Sequence, residues 1–312
     1  MQQEPASDKE GESEMIINGA NLRGIYTGFN TIFNKAFSEV EPLYKQIATV
    51  VPSTTDTEVY AWLGDIPGMR EWIGEREINN LTSSDYTIKN RPFETTIGIP
   101  VNAIEDDKLG LYRPSVELLG QSAAYHPDEL TFGILKNGFT EKCSDGQPFF
   151  SKEHKIGKEE KVCCNAGTEK LSMDAYIKAR AAMMSLTNSA GRPLNLIPDL
   201  LVVPPALEKD ANDILVADLL NGTRNTMQGT AKVLTAPQLA GNDSAWYLLC
   251  TKRPIKPLIF QERKKPKFVS KTKLEDDNVF FENQYLYGVD YRGNAGYGFW
   301  QMAYGSDGTV AG

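Results

Sequence analysis

The chain has 312 residues, 41% of them apolar and 24% charged, and a formal net charge of -8 at pH 7. A chain of this length buries enough apolar surface to fold without disulfides or structural metals. It contains no apolar run of about 18 residues that would cross a bilayer, and its negative charge argues against a general nucleic-acid-binding protein.

The first fourteen residues are acidic, with five carboxylates and one lysine, and they lack the apolar core of a signal peptide. We therefore expect synthesis and folding in the cytoplasm. In that compartment the four cysteines, Cys143, Cys163, Cys164 and Cys250, are expected to remain free thiols.

Apolar residues between positions 21 and 37 recur at intervals of three and four, which predicts a helix with one apolar face. They are Leu22, Ile25, Phe29, Ile32, Phe33 and Phe37. Such a helix is expected to be an arm that packs on another surface.

Two segments, 57–63 and 86–99, are rich in β-branched and aromatic residues and are predicted to pair as a hairpin. The connection, 64–85, is much longer than the usual hairpin loop of about two to five residues. Exposed apolar side chains in such a loop favour docking on another subunit. The intersubunit contact candidates are Trp62, Met69, Trp72 and Ile73.

Residues 101–140 are predicted to form three helices, because Pro114 and Pro127 each precede a helix-forming run and proline favours the first helical turn. The segments are 102–112, 114–125 and 127–139. Further helices are expected after Ser172 and from Pro205. Strands are expected at 200–203, 246–250, 258–261, 279–289 and 297–303. This order lacks a steady strand–helix alternation and predicts an α+β fold.

The catalytic possibilities are few, because the chain has only two histidines, His126 and His154. A cysteine hydrolase using Cys143 or Cys163 with His154 remains an alternative, but no local signature supports it. Zinc held by Cys143, His154 and the Cys163–Cys164 pair is disfavoured, because adjacent cysteines strain one tetrahedral site. We therefore predict no enzyme activity and no catalytic, cofactor or metal residues.

The segment 252–273 is strongly basic, with nine lysines and arginines against Glu262 alone, which leaves the rest of the chain at about -16. Its central candidates are Arg263, Lys264, Lys265 and Lys267. The segment is interpreted as a solvated strand pair, as a contact for acidic surfaces of neighbouring subunits, or as a non-specific contact for packaged nucleic acid.

Several short motifs resemble the major head subunits of Mu-like phages and prophages. Asp145-Gly-Gln-Pro-Phe-Phe-Ser-Lys-Glu-His154 follows Tyr125-His-Pro-Asp-Glu-Leu130, and later matches occur at 191–194, 198–208, 287–292 and 296–301. Each motif is short. The resemblance is specific because the motifs occur in the family's order over residues 15–308.

The resemblance implies the Hong Kong 97 capsid fold. The expected parts are an N-terminal arm at 1–49, an extended E-loop hairpin at 50–100, a peripheral domain with a spine helix at 101–192, an axial domain at 193–251 and closing strands at 252–312. Pro114 and Pro127 depart from the family pattern and predict a segmented or kinked spine. The founding member of the fold cross-links its subunits through a lysine–asparagine isopeptide bond. No such pair of residues is identified in this sequence.

The same resemblance implies a major capsid protein that self-assembles, as hexamers and pentamers, into the icosahedral shell around the double-stranded DNA of a tailed phage. Expected partners are scaffold, maturation protease and portal proteins, and DNA bound non-specifically; no membrane and no cofactor are expected. The site of action is the virion capsid, assembled in the host cytoplasm. Another oligomeric virion component remains the alternative.

Overall fold

The computed structural model describes residues 18–63, 85–106, 108–156, 161–220 and 222–310. Its helices are α1 Gly19–Glu39, α2 Tyr44–Ile47, α3 Val101–Glu105, α4 Leu109–Asn137, α5 Met173–Met184, α6 Glu208–Leu215 and α7 Asp277–Glu282. Among the residues described, no helix combines the length and the apolar character that a membrane span requires.

The strands are β1 Ala48–Pro52, β2 Thr57–Val59, β3 Thr87–Lys89, β4 Arg91–Pro100, β5 His154–Ile156, β6 Lys161–Cys163, β7 Ala166–Glu169, β8 Leu200–Val203, β9 Leu219–Leu220, β10 Thr223–Arg224, β11 Lys232–Thr235, β12 Trp246–Leu249, β13 Leu258–Lys271, β14 Gln284–Tyr297 and β15 Ala303–Val310. The larger sheets have the orders β11-β8-β12-β15-β7 and β1-β13-β14-β4. Both contain parallel pairs, and helices and sheets mix along the chain, so the predicted α+β class is confirmed.

The described residues form two compact units. The first contains the segments up to Glu41, Phe93–Ala124 and Lys265–Tyr291; the second contains Pro42–Pro92, Tyr125–Lys264 and the segment from Arg292. Each unit has its own apolar interior and is described separately below.

Helix α1 supplies one wall of the core of the first unit, as its periodicity predicts. Asn18 caps the helix, because its side chain accepts hydrogen bonds from the backbone N–H groups of Ala20 and Asn21. The buried face carries Leu22, Ile25, Phe29 and Phe33. Phe29 meets the ring of Tyr287 edge-on at 5.1 Å, and Phe33 lies 5.4 Å from Phe268, so α1 is fixed against the aromatic faces of β13 and β14.

Helix α4 approaches α1 closely at Gly120. A Cβ atom at this position would lie 2.7 Å from the carbonyl oxygen of Phe33 and 3.1 Å from the Cβ of Ala36. Because glycine has no side chain, α1 and α4 can pack this closely at Gly120.

We expect Gly120→Ala to destabilise the protein. Alanine favours a helix by about 1 kcal/mol over glycine, but forcing a methyl group into a filled interface costs about 1–3 kcal/mol. Gly133→Ala is the matched control, since a Cβ there meets nothing within 4 Å. Urea unfolding should show a lower midpoint for Gly120→Ala and an equal or higher one for Gly133→Ala; equal effects would contradict the close contact.

The five-stranded sheet forms the centre of the second unit. Every residue of β8 and β12 is buried, which explains why these strands are continuous apolar runs in the sequence. Trp246 Nε1 and Ser306 Oγ both donate to the carbonyl of Glu169, which holds β12 and β15 beside the end of β7. Helix α5 begins where predicted, because the side chain of Ser172 accepts the N–H of Ala175.

The predicted hairpin is present at its base. Strands β2 and β3 pair antiparallel, with Thr57 opposite Lys89 and Val59 opposite Thr87, although β2 is shorter than the predicted 57–63. Residues 64–84 of the connection lie outside the described residues, so the candidates Met69, Trp72 and Ile73 do as well.

The predicted division of the spine at its prolines is wrong. Pro114 and Pro127 both lie inside α4, a helix of 29 residues. An interior proline removes one hydrogen bond and costs about 3 kcal/mol. Burial of Val116, Leu119 and Phe132 along the same helix offsets that cost, because each fully buried side chain contributes about 1.5–3 kcal/mol.

Two predicted strands are also partly wrong. The segment 279–289 begins as α7, and only β14 from Gln284 onward is extended. Asn283 ends α7 in the left-handed conformation at φ 52°, a helix-stop signal that the apolar pattern obscured. Residues 300–302 form a 3-10 turn within the predicted strand 297–303, and the final strand, β15, follows it.

Candidate functional site

His154 is the centre of a buried polar cluster in the second unit. Its Nδ1 lies 2.6 Å from Asp145 Oδ2, and its ring is parallel to that of Trp300, with the centroids 4.0 Å apart. The other oxygen of Asp145 accepts from the Gln147 N–H and from the Cys143 thiol, at 3.0 and 3.2 Å. The imidazole has no exposed surface, so its ring nitrogens bond to protein groups and not to bulk solvent.

Asn165 makes Nε2 of His154 a hydrogen-bond donor. The Asn165 Nδ2 group donates to three backbone carbonyls, those of Phe149, Trp300 and Ala303. Its Oδ1 therefore acts as the acceptor, takes the N–H of Ser151 at 2.8 Å and faces His154 Nε2 at 3.1 Å. Nδ1, on the other side of the ring, donates to the carboxylate of Asp145, which can only accept.

This geometry does not resemble a cysteine–histidine nucleophile. The Cys143 thiol donates to a carboxylate, whereas both ring nitrogens of His154 are engaged by Asp145, Asn165 and the Phe149 carbonyl. Burial, together with the charge of Asp145, raises the pKa of Cys143 well above its usual range. Burial also raises the pKa of Cys163, which lies opposite His154 in the β5–β6 pair. Neither thiol is activated, because a nucleophilic cysteine requires a lowered pKa.

Asp145 remains ionised in this environment. Burial raises its pKa, but the hydrogen bond and the charge from His154 outweigh burial and hold the pKa below its usual range.

Sequence reasoning included Asp145 only as part of a motif and missed Asn165. The signal for both residues was the motif itself, whose polar positions converge only in the fold.

Native-state alkylation checks the state of the thiols. Iodoacetamide should modify the exposed Cys164 first and the buried Cys143 only slowly, because burial and a raised pKa both limit thiolate attack. Peptide mass spectrometry at successive times measures the order, and the unfolded chain is the control for equal labelling. Rapid modification of Cys143 near neutral pH would instead indicate an activated nucleophile.

The base of the hairpin is braced by packed aromatic rings and a polar turn. Trp62, a contact candidate, is half-buried; it meets Tyr60 edge-on at 5.8 Å and Phe299 in a tilted arrangement at 5.7 Å. The hydroxyl of Tyr60 donates to Gln261 Oε1 at 2.8 Å. Trp62 therefore anchors one end of the connection within its own subunit, and its contact with another subunit stays a prediction.

Glu58 organises the turn that precedes the hairpin. Its Oε1 accepts from the Thr54 and Thr55 N–H groups and from the Ser53 hydroxyl, at 2.8–3.1 Å. These hydrogen bonds, the Thr54 N–H foremost, lower the pKa of Glu58 to about 2. Asn90 closes the turn by donating to Ser53 Oγ and to the Thr55 carbonyl.

We expect Glu58→Gln to lower the denaturant midpoint of unfolding at pH 7. The folded-state pKa of Glu58 lies below its unfolded value of about 4.3, so its stabilisation is complete above that pH and is lost as the pH falls toward 2. The difference between parent and variant should therefore shrink over this range. Glu153→Gln, at an exposed position, should follow the parent throughout.

The basic candidates lie together on β13. Arg263, Lys264, Lys265 and Lys267 are all exposed, whereas Leu258 to Gln261 on the same strand are buried. The pairing with β1 ends at Pro52 and Glu262, immediately before the basic residues. The strand therefore changes from a core strand to a charged surface strand at this point.

Comparison with known proteins assigns the family. The model of the Mu-like prophage major head subunit gpT matches residues 22–169, 163–239 and 238–311. The major capsid protein of Escherichia phage Mu is 34% identical over 289 residues, which are 93% of this chain and 74% of that protein. The FluMu prophage major head subunit of Haemophilus influenzae is 33% identical over the same shares.

Solved structures agree with this assignment. A chain of the procapsid of bacteriophage JBD30 is 36% identical, with a TM-score of 0.61 over 93% of this chain and 76% of the other. A chain of the JBD30 capsid is 25% identical, with a TM-score of 0.54 over 93% and 73%. A chain of the mature capsid of bacteriophage PhiM1, at 10% identity and TM-score 0.56 over 86% and 87%, shows the shared fold alone.

The expected Hong Kong 97-like capsid fold is therefore confirmed, and the homologues are structural capsid proteins, not enzymes. The motif at 145–154 belongs to a fully hydrogen-bonded structural cluster, which agrees with this class. The chain belongs to the Mu-like prophage major head subunit family and is a major capsid protein of a Mu-like phage.

Proposed function

We propose that copies of this chain associate as hexamers and pentamers and close into an icosahedral shell around double-stranded DNA. The observation that carries the proposal is the match to phage shell proteins along 93% of the chain, since assembly into a multi-subunit shell is common to those relatives. The buried and unactivated thiols favour a structural role over the cysteine-hydrolase alternative.

Scaffold, maturation protease and portal proteins are the partners proposed for assembly in the bacterial cytoplasm. The JBD30 relative comes from a procapsid, which supports an assembly intermediate in that phage, and we extend the idea to this chain. The finished shell is part of the virion. DNA would be enclosed by the shell without sequence recognition and contacted only weakly, because the overall charge of -8 opposes strong electrostatic binding.

The parts of the subunit are proposed as follows: an arm at 1–49, an E-loop at 50–100, a peripheral domain with its spine at 101–192, an axial domain at 193–251 and closing strands at 252–312. Helix α1 supports the arm assignment through its packing on β13 and β14. The continuous α4 supports the spine assignment.

The E-loop is proposed to bury Trp62, Met69, Trp72 and Ile73 on an adjacent subunit. The braced base supports this idea, because Tyr60, Phe299 and the Glu58 turn fix the position from which the connection leaves. A fixed base reduces the ordering cost of docking a long loop.

Electron microscopy and size-exclusion chromatography of the purified untagged chain test the assembly proposal. Closed shells or rings of five and six subunits are expected over a series of concentrations and salt conditions. A tube or a single small ring under every condition would instead favour another oligomeric virion component. A persistent monomer, even with co-expressed scaffold protein, would contradict self-assembly.

The basic strand is proposed to meet acidic surfaces of neighbouring subunits. Its side chains are exposed on one strand, and the remainder of the chain carries about -16, so each copy offers both signs of charge. Binding of packaged DNA and simple solvation of the strand are the other interpretations.

Charge neutralisation separates the three interpretations. We expect Arg263→Gln, Lys265→Gln and Lys267→Gln in one chain to reduce shell yield and its dependence on salt, because interfacial ion pairs are screened by salt. Lys136→Gln, Lys152→Gln and Lys232→Gln, at exposed positions elsewhere, are the matched control. Normal shells with poor DNA retention would favour nucleic-acid contact, and an unchanged phenotype would favour a solvated strand.

A further inference from the structure

Three potential metal-ligand atoms meet in the His154 cluster. The Cys143 sulfur, a carboxylate oxygen of Asp145 and a ring nitrogen of His154 all lie within 4.8 Å of one another. This set differs from the one considered on sequence spacing, because Asp145 replaces the adjacent pair Cys163 and Cys164. Thiolate, carboxylate and imidazole are the three side-chain ligands that zinc uses in proteins.

The residues around His154 hold its ring in the way that is typical of a histidine bound to a metal. Metal-bound histidines usually donate their second N–H to a fixed acceptor, which selects the tautomer and the ring plane. Here Nε2 faces Asn165 Oδ1 at 3.1 Å and the Phe149 carbonyl at 3.3 Å, and Trp300 stacks on the ring. Nδ1, the nitrogen directed at Asp145, is therefore the atom available to a metal.

The three ligand atoms lie within reach of one ion, and a tetrahedral site requires the carboxylate of Asp145 to turn, because its two oxygens face Cys143 and His154 separately. Zinc lies about 2.3 Å from sulfur and about 2.0 Å from nitrogen or oxygen, so neighbouring ligand atoms are about 3.3–3.6 Å apart. The Cys143 sulfur and Asp145 Oδ1 are separated by 3.2 Å. The 2.6 Å between Asp145 Oδ2 and His154 Nδ1 must widen by about 0.7 Å to reach that spacing. The Asp145 side chain is 22% exposed whereas that of His154 is fully buried, so the movement that the site requires is a rotation of Asp145 toward solvent.

We propose that Cys143, Asp145 and His154 form a zinc site, with water as the fourth ligand on the solvent side of Asp145. Binding forms zinc–sulfur, zinc–oxygen and zinc–nitrogen bonds. The thiol proton of Cys143 and any proton on His154 Nδ1 are released to solvent, and no oxidation occurs. The ion replaces the hydrogen bonds that Cys143 and His154 now make to Asp145.

Bound zinc would join the 143–147 turn to the start of β5. The turn is otherwise closed by local hydrogen bonds, including the Cys143 N–H to the Gln147 carbonyl. Because an ion that binds only the folded state raises stability, zinc should increase the melting temperature of the full chain.

Cobalt and zinc titrations of the purified full-length chain test the site. Cys164→Ser is the parent, so that the exposed thiol contributes no signal. Cobalt should produce a thiolate-to-metal absorption band with one ion per chain, and zinc should displace it. Cys143→Ser retains a donor to Asp145 and should fold, yet it should lose the band and bind zinc at least about tenfold more weakly. Cys163→Ser is the matched buried control and should retain both properties.

Thermal unfolding is the second measurement. Zinc should raise the melting temperature of the parent and of Cys163→Ser, but not of Cys143→Ser. Absence of the cobalt band in the parent, or an equal band in Cys143→Ser, would overturn the proposal and leave a metal-free ion pair between Asp145 and His154. Neither the cobalt absorption band nor the shift in melting temperature depends on whether the chain assembles into shells.

Discussion

The structure depends most on the hydrogen bonds of Asn165. One side chain holds the carbonyls of Phe149, Trp300 and Ala303, the N–H of Ser151 and the ring of His154. It thereby joins the motif at 145–154 to the motif at 296–301. Unsatisfied buried polar groups are costly, so each partner constrains the others. These two family motifs are accordingly parts of one structural junction, which explains why the first contains a histidine without catalytic geometry.

A shell subunit must combine rigid interiors with many weak external contacts. In the first unit, the aromatic rings of Phe29, Phe33, Phe268 and Tyr287 interlock, and this packing fixes the backbone of α1. On the outside, β13 changes to an exposed basic strand after Glu262. Exposed charges contribute little to the stability of a single subunit, yet they are well suited to steering association.

Local sequence signals predicted the elements whose stability is mainly local. The helix predicted from the three- and four-residue spacing in α1, the Ser172 cap of α5 and the base of the hairpin formed as expected. The signals failed where tertiary packing outweighs local preference. Buried residues between Pro114 and Pro127 and after Pro127 keep α4 continuous, and the apolar composition of α7 concealed its capping residues.

The sequence alone indicated the family and the structural role, because several short motifs occur in the family's order, and the order of the predicted strands and helices indicated the α+β class. Tertiary structure decided which residues meet. Asn165 and Trp300 are 135 positions apart, and no spacing rule reveals that their groups share a hydrogen bond. The close approach of α4 to α1 at Gly120 likewise arises from packing between distant segments. The fold also brings the Asn165 side chain to His154 Nε2. Such contacts depend on the whole fold, whereas periodicity and capping depend on a few neighbouring residues.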